Sequence, residues 1–353
     1  MSARPHKIAL IGPLADDAAD TLGFGGKEPR IEGVVTVKDA LEAREKQAGG
    51  SVLYAKGTGI DATSEDGFAA AIDAARQADL VVMALGETAE MSGEGGSRAF
   101  PALPGNQQKL LESVASTGRP IALLVFSGRP LLLDWAAEHV NAIVEAWFPG
   151  AEGGSAIANV LYGDTAPSGK LPMSFPRATG QEPLYYNQFP TGRPLSSFDP
   201  ASQDVRFFSR YIDAPNEALF PFGHGLTYTR FAYSGVTLSR TAAPLSEATR
   251  AARNLITVTA TVENTGDRAA TEIVECYIRN LGASLEQPVR SLQGFRRVTL
   301  QPGEAKQVSF DLGFPELSFY NNAGQAVIEP THYTVWIGGS SEAGERADFD
   351  IVQ

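Results

Sequence analysis

The sequence predicts an α/β domain, a mostly parallel-sheet α/β sandwich, followed by an all-β sandwich of immunoglobulin or fibronectin type III character. Three observations carry this. Up to Gly163, short β-rich apolar runs alternate with helix-spaced segments, as in a parallel sheet covered by helices. From Phe231 onward, short alternating runs are separated by turn residues. Between them, residues 164–225 are rich in Pro, Gly, Tyr and Phe and follow neither period, which marks an irregular segment laid over a surface. The expected domains are residues 1–175 (α/β), 176–228 (extended linker) and 229–353 (β-sandwich).

Each element has its own justification. Residues 7–12 form an apolar run ending in Gly12-Pro13, a strand closed by a turn signal. Residues 34–48 read as a helix around Val37, Ala40 and Leu41, and residues 51–55 as the next strand. A second helix covers residues 68–78, and the run at 80–86 is a buried strand. Residues 104–115 read as a helix with Pro104 in its first turn, where a missing N–H does no harm. Strands at 120–126 and 142–147 and a helix at 153–162 complete the first domain. In the second, strands are expected at 255–262, 272–279, 308–312 and 332–337, with turns at 264–267 and 301–304.

Length and composition restrict the function. A chain of 353 residues has room for two cores. Its formal charge of −12 repels phosphate backbones, so nucleic acid is not an expected partner. With a single cysteine, Cys276, no intrachain disulfide can form, and no Cys/His cluster suggests a metal; no cofactor is expected. Cys276 lies in an alternating strand and reads as a core residue. No apolar run approaches the roughly 20 residues that span a bilayer, so no membrane partner is expected. The first seven residues carry no signal-peptide pattern.

The strand at 80–86 runs into Gly86-Glu87-Thr88-Ala89-Glu90-Met91-Ser92-Gly93-Glu94-Gly95-Gly96-Ser97-Arg98. Ligands gather beyond the carboxyl ends of parallel strands, so this loop, with three carboxylates, is the candidate site. From spacing alone, Glu87, Glu90 and Glu94 are solvated loop carboxylates and the glycines are turn chemistry. A phosphate cradle at residues 93–96 would need a Lys-Ser/Thr ending that is absent. Ser127 lacks the Gly-x-Ser-x-Gly context of a nucleophile, and His224 between two glycines reads as a packed or surface histidine. Trp147 either stacks on a sugar or fills the core.

The loop, with Leu103-Pro104-Gly105 and Gln107 after it, closely resembles the acid/base loop of family 3 glycoside hydrolases of the β-glucosidase type. The likeness continues through Phe126-Ser127-Gly128-Arg129-Pro130, Trp147-Phe148-Pro149-Gly150-Ala151-Glu152-Gly153-Gly154, Pro167-Ser168-Gly169-Lys170-Leu171-Pro172 and Phe220-Pro221-Phe222-Gly223-His224-Gly225. Arg290-Ser291-Leu292-Gln293-Gly294-Phe295 and Leu300-Gln301-Pro302-Gly303-Glu304 resemble the family's fibronectin-like domain.

The resemblance implies a retaining β-glucosidase acting on β-glucosides or oligosaccharides, with Glu94 as general acid/base. Glu90, Met91, Ser92, Arg98 and Trp147 are the candidate sugar contacts. It also implies that the nucleophile, an aspartate on a (β/α)₈ barrel, is not in this chain and would be supplied in cis or in trans. A carboxyl open to water titrates near ~4.3 and is a poor acid at neutral pH. The chain alone is therefore expected to be inactive. The preceding helix of the family is also expected to be missing, which would leave apolar surface exposed beside the first strand. Relatives are often periplasmic or secreted. The alternatives are a β-xylosidase and a non-catalytic carbohydrate-binding or scaffolding protein; a β-N-acetylglucosaminidase fits less well, because those relatives often take the acid/base from a barrel loop.

Overall fold

The computed structural model describes residues 6–23, 31–201 and 203–353; the first five residues, part of the segment read for a leader, lie outside them. Two compact units form, Met1–Thr165 with Pro176–Glu182, and Ala166–Phe175 with Pro183–Gln353. The expected boundary at residue 175 falls inside this exchange, and residues 176–228 divide between the two.

In the first unit five strands, β1 (Lys7–Ile11), β2 (Ser51–Ala55), β3 (Leu80–Gly86), β4 (Ile121–Phe126) and β5 (Ala142–Glu145), form a parallel sheet in the order β2-β1-β3-β4-β5. The helices are α1 (Ala18–Thr21), α2 (Val37–Ala48), α3 (Phe68–Gln77), α4 (Gln107–Ala115), α5 (Asp134–His139) and α6 (Gly153–Tyr162). Central strands β1, β3 and β4 are continuous apolar runs because helices cover both faces of a parallel sheet. The edge strands β2 and β5 are only partly buried.

Local chemistry sets several element ends. Helix α2 starts at Val37 rather than residue 34, because Thr36 and Asp39 form a reciprocal cap, each side chain accepting the other's backbone N–H at 3.1 Å. Helix α4 starts at Gln107, so Pro104 precedes the helix instead of sitting in its first turn. Strand β5 stops at Glu145, short of residue 147, because Trp147 turns into the left-handed region at φ 52°. Helices α1 and α5 were not foreseen.

The chain adds β2 on one side of β1 and then returns to place β3 on the other. Such a reversal opens a crevice beyond the carboxyl ends of β1 and β3. The turn out of β3 depends on Gly86, whose φ is 145°. A Cβ there would lie 1.9 Å from the Phe126 carbonyl oxygen on β4. Gln107 reinforces that end: it accepts from the Gly86 N–H at 2.8 Å and donates to the Gly86 carbonyl at 2.7 Å.

The second unit is a β-sandwich, as the sequence predicts. Its strands are β6 (Phe231–Leu238) and β7 (Ala242–Pro244), then, after one turn of helix α7 (Leu245–Ala248), β8 (Ile256–Asn264), β9 (Ala270–Asn280), β10 (Ser291–Leu300) and β11 (Ala305–Leu312). One turn of helix α8 (Phe314–Leu317) leads to β12 (Phe319–Tyr320), β13 (Ala326–Val327), β14 (Thr331–Gly338) and β15 (Glu345–Val352). Sheets β10-β9-β14-β15-β7 and β11-β8-β6 enclose a core that includes Val258, Phe310, Tyr333, Val335 and Phe349. Cys276 is fully buried in that core, and burial pushes its thiol up to about 12. Ahead of the strands, Phe175 and Phe220 pair through their backbones, and His224 stacks on Phe220 at 5.0 Å. Among the described residues no helix is long and apolar enough to cross a membrane.

Candidate functional site

Three segments meet beyond the carboxyl ends of β3, β4 and β5. After β3, Glu87 continues the strand direction, its N–H bonded to the Phe126 carbonyl at 2.7 Å. Its side chain is completely buried, which requires partners, and it has three. Arg98 donates to one oxygen at 2.7 Å, while the Ser92 hydroxyl (2.9 Å) and Arg129 Nε (3.1 Å) donate to the other. Two guanidinium charges thus surround one carboxylate, each about four-fifths buried. The expectation that Glu87 is a solvated loop carboxylate is corrected by this enclosure.

From Glu87 the chain rises and turns back. A short 3₁₀ turn over Ala89–Met91 is anchored by the Ala89 N–H on the Asp20 carboxylate at 2.7 Å. Burial is the main influence on Asp20 and raises its pKa, with the bond from Ala89 opposing. The turn at residues 93–96 then closes with the Gly96 N–H on the Gly93 carbonyl at 3.1 Å. Gly93 (φ 95°) and Gly95 (φ 78°) are both left-handed, a conformation glycine enters without steric penalty. Glu94, between them, is exposed. The Ser-Gly-Glu-Gly spacing therefore has a physical reason: it lifts one carboxylate into the open on a tight turn.

On the β5 side, the Trp147 N–H donates to Glu145 Oε1 at 3.1 Å, and the Ser127 hydroxyl lies 3.4 Å from the same oxygen. The other oxygen, Oε2, is buried without a hydrogen-bond partner among the described residues. Burial pushes the Glu145 pKa up to about 8, against the two hydrogen bonds and reinforced by the Glu87 charge. Trp147 is partly buried in its left-handed turn.

The structure brings together four of the sequence-predicted residues, Met91, Ser92, Glu94 and Arg98, on one loop. Ser92 and Arg98 are both bonded to Glu87. Glu90 is exposed nearby, and Trp147 stands at the end of β5 on a hydrogen-bonded chain through Glu145 and Ser127, whose hydroxyl also donates to the Arg129 carbonyl at 2.7 Å. Sequence reasoning did not find Arg129, Glu145 or the central place of Glu87. Among the described residues no three His, Cys, Asp or Glu side chains converge as metal ligands would.

Residues 1–228 match the glycosyl hydrolase family 3 C-terminal domain. The chain belongs to that family. Residues 272–341 match a fibronectin type III-like domain. A periplasmic β-glucosidase of Salmonella typhimurium is 37% identical over 98% of this chain and 46% of its own length. A β-xylosidase of Formosa agariphila is 39% identical over 96% of this chain and 45% of its own. Among solved structures, a Listeria innocua β-glucosidase in complex with laminaribiose superimposes with a TM-score of 0.88 at 36% identity, covering 99% of this chain and 46% of that one. The chain thus spans about half the length of the curated relatives it matches.

Proposed function

We propose that this chain is the acid/base-bearing portion of a retaining β-glucosidase that releases terminal β-D-glucosyl residues, with Glu94 as the general acid/base. The observation that carries the reading is the contrast within one loop. Glu87 is buried and its charge is held by two arginines, whereas Glu94 is exposed on a turn flanked by two left-handed glycines. A carboxyl that must reach a glycosidic oxygen needs the second environment. The likeness to β-glucosidases over nearly all of this chain supports the same assignment.

In the reaction, Glu94 protonates the departing glycosidic oxygen while a second carboxylate attacks the anomeric carbon; it then takes a proton from the water that releases the glucosyl group. Retention requires the two carboxyl groups to stand about 5–5.5 Å apart. The nucleophile belongs to the part of the relatives that this chain does not match, and closure by that part removes Glu94 from water. Glu90, Met91, Ser92, Arg98 and Trp147 border the sugar. The likeness to a β-xylosidase supports a second reading, in which the sugar is xylose. A periplasmic or secreted location is supported by the Salmonella relative.

The test is hydrolysis of aryl β-glucosides and β-xylosides by this chain alone and after joining it to the unmatched portion of the Salmonella enzyme. Negligible turnover alone and strong turnover after joining support the proposal. Saccharide binding with no turnover in either form would instead make the chain a binding or scaffolding protein.

A further inference from the structure

The turn that carries Glu94 has little of its own to hold it. Its two left-handed glycines are the residues with the greatest backbone freedom, and the Gly93–Gly96 hydrogen bond closes only its base. A side chain from a different loop supplies most of the rest, beside one bond from the Gly128 N–H to the Ser92 hydroxyl at 3.2 Å. Arg129, just beyond β4, bonds Glu87 through Nε. One terminal nitrogen of the same guanidinium bonds both the Met91 and the Gly96 carbonyls and lies 3.3 Å from the Ser92 hydroxyl. Met91 and Gly96 are the two ends of the segment that includes Glu94, so a single planar group closes the loop across its neck. Gly128 makes room for this arrangement: a Cβ there would lie 2.5 Å from Ser92 Cβ.

We infer that Arg129 is the positioning residue of the Glu94 turn, binding its two ends together and referring them to the buried Glu87 carboxylate. Arg98, the other cation on Glu87, does a different job: its second bond goes to the Ala102 carbonyl at 2.9 Å, downstream of the turn. The two arginines share one anion but hold separate stretches of chain. The geometry needs a guanidinium, because its donors diverge in a fixed plane, whereas a lysine ammonium is a point charge on a flexible stem. The importance of this turn for catalysis rests on the proposed role of Glu94, but the positioning itself does not.

The test uses the full chain labelled with ¹⁵N-glycine, so that Gly93, Gly95 and Gly96 report the order of the turn directly. The backbone order parameters of these three residues should be near ~0.85 in the native chain and fall below ~0.6 in Arg129→Met. Arg129→Lys should fail to restore them, and Arg98→Met should leave them high. Gly86 at the end of β3 and Gly118, whose N–H bonds the Ala115 carbonyl in the turn after α4, serve as controls for the fold. Rigid glycines in both Arg129 variants would overturn the inference. So would equal loosening in Arg98→Met, which would make the charge cluster as a whole, and not Arg129, the support. If the turn loosens as expected while Glu94→Gln leaves turnover of the joined enzyme intact, the positioning stands and the proposed function fails.

Discussion

Both units of this protein bury a carboxylate against a cation, and they do so to different ends. In the sandwich, Glu272 accepts from Lys170 at 3.1 Å and from the Tyr233 hydroxyl at 2.7 Å, while neighbouring Glu275 accepts from the Tyr277 hydroxyl at 2.6 Å. Burial, aided by these anions, drives the pKa of both tyrosines upward, so they remain donors. Lys170 lies on the segment Ala166–Phe175, so the cluster ties that segment to strand β9. In the α/β unit, Glu87 and its arginines instead brace a loop that ends in an exposed carboxylate. Buried charge alone does not mark a reactive site. What distinguishes the Glu87 cluster is the open group that it supports.

The largest effects should come from breaking each cluster. Removing one partner of a buried ion pair costs about 3–5 kcal/mol because the other charge is left uncompensated. Glu272→Leu should lose about that much in the sandwich, read by Trp336 fluorescence in urea. Glu87→Leu should lose about 3 kcal/mol in the α/β unit, read by Trp135, its two arginines being better able to reach water. If the comparison is right, only the second variant also alters the turn around Glu94.

A smaller effect separates Glu145 from Glu87. Its pKa is about 8 in the folded chain and near the ordinary carboxylate value when unfolded. Between those values the unfolded state has released a proton that the folded state still holds, so the stability of this unit falls as pH rises from about 4.5 to about 8. Below that window the penalty is absent. Glu145→Gln should flatten the profile and stabilise the unit more at pH 8 than at pH 5, measured by urea unfolding at both values. A profile unchanged by the substitution would remove Glu145 from the account. Smaller still, Gly95→Ala should cost about 1 kcal/mol, because open space surrounds the site and only the left-handed backbone resists. Glu94→Gln should change thermal stability by less than about 0.5 kcal/mol, as expected of an exposed residue without structural duties.

The parts of this fold that could be read from sequence are those with local causes. Continuous apolar runs announced β1, β3 and β4, because a covered parallel strand has no polar face, and strict alternation announced β8. Strand β10 was not foreseen: its register against β9 shifts between Leu292 and Gly294 and it is exposed over much of its length, so neither period survives. The early end of β5 depends on Trp147 entering a conformation unusual for its type, which no neighbouring residue signals. At the site, the residues around Glu94 were legible as a motif because they are contiguous. The Glu87–Arg129 pair was not, because its partners lie 42 residues apart and only the sheet order β3-β4 brings them together. Spacing alone also could not separate a buried Glu87 from an exposed Glu94 on the same loop.

The central claim is that the exposed carboxylate of this loop, not the buried one, performs proton transfer. Its most direct test is the turnover of an aryl β-glucoside with a poor leaving group by the joined enzyme carrying Glu94→Gln. A fall of about 10²–10⁴-fold with an unchanged melting temperature is the predicted result. Turnover near that of the native enzyme would contradict the account.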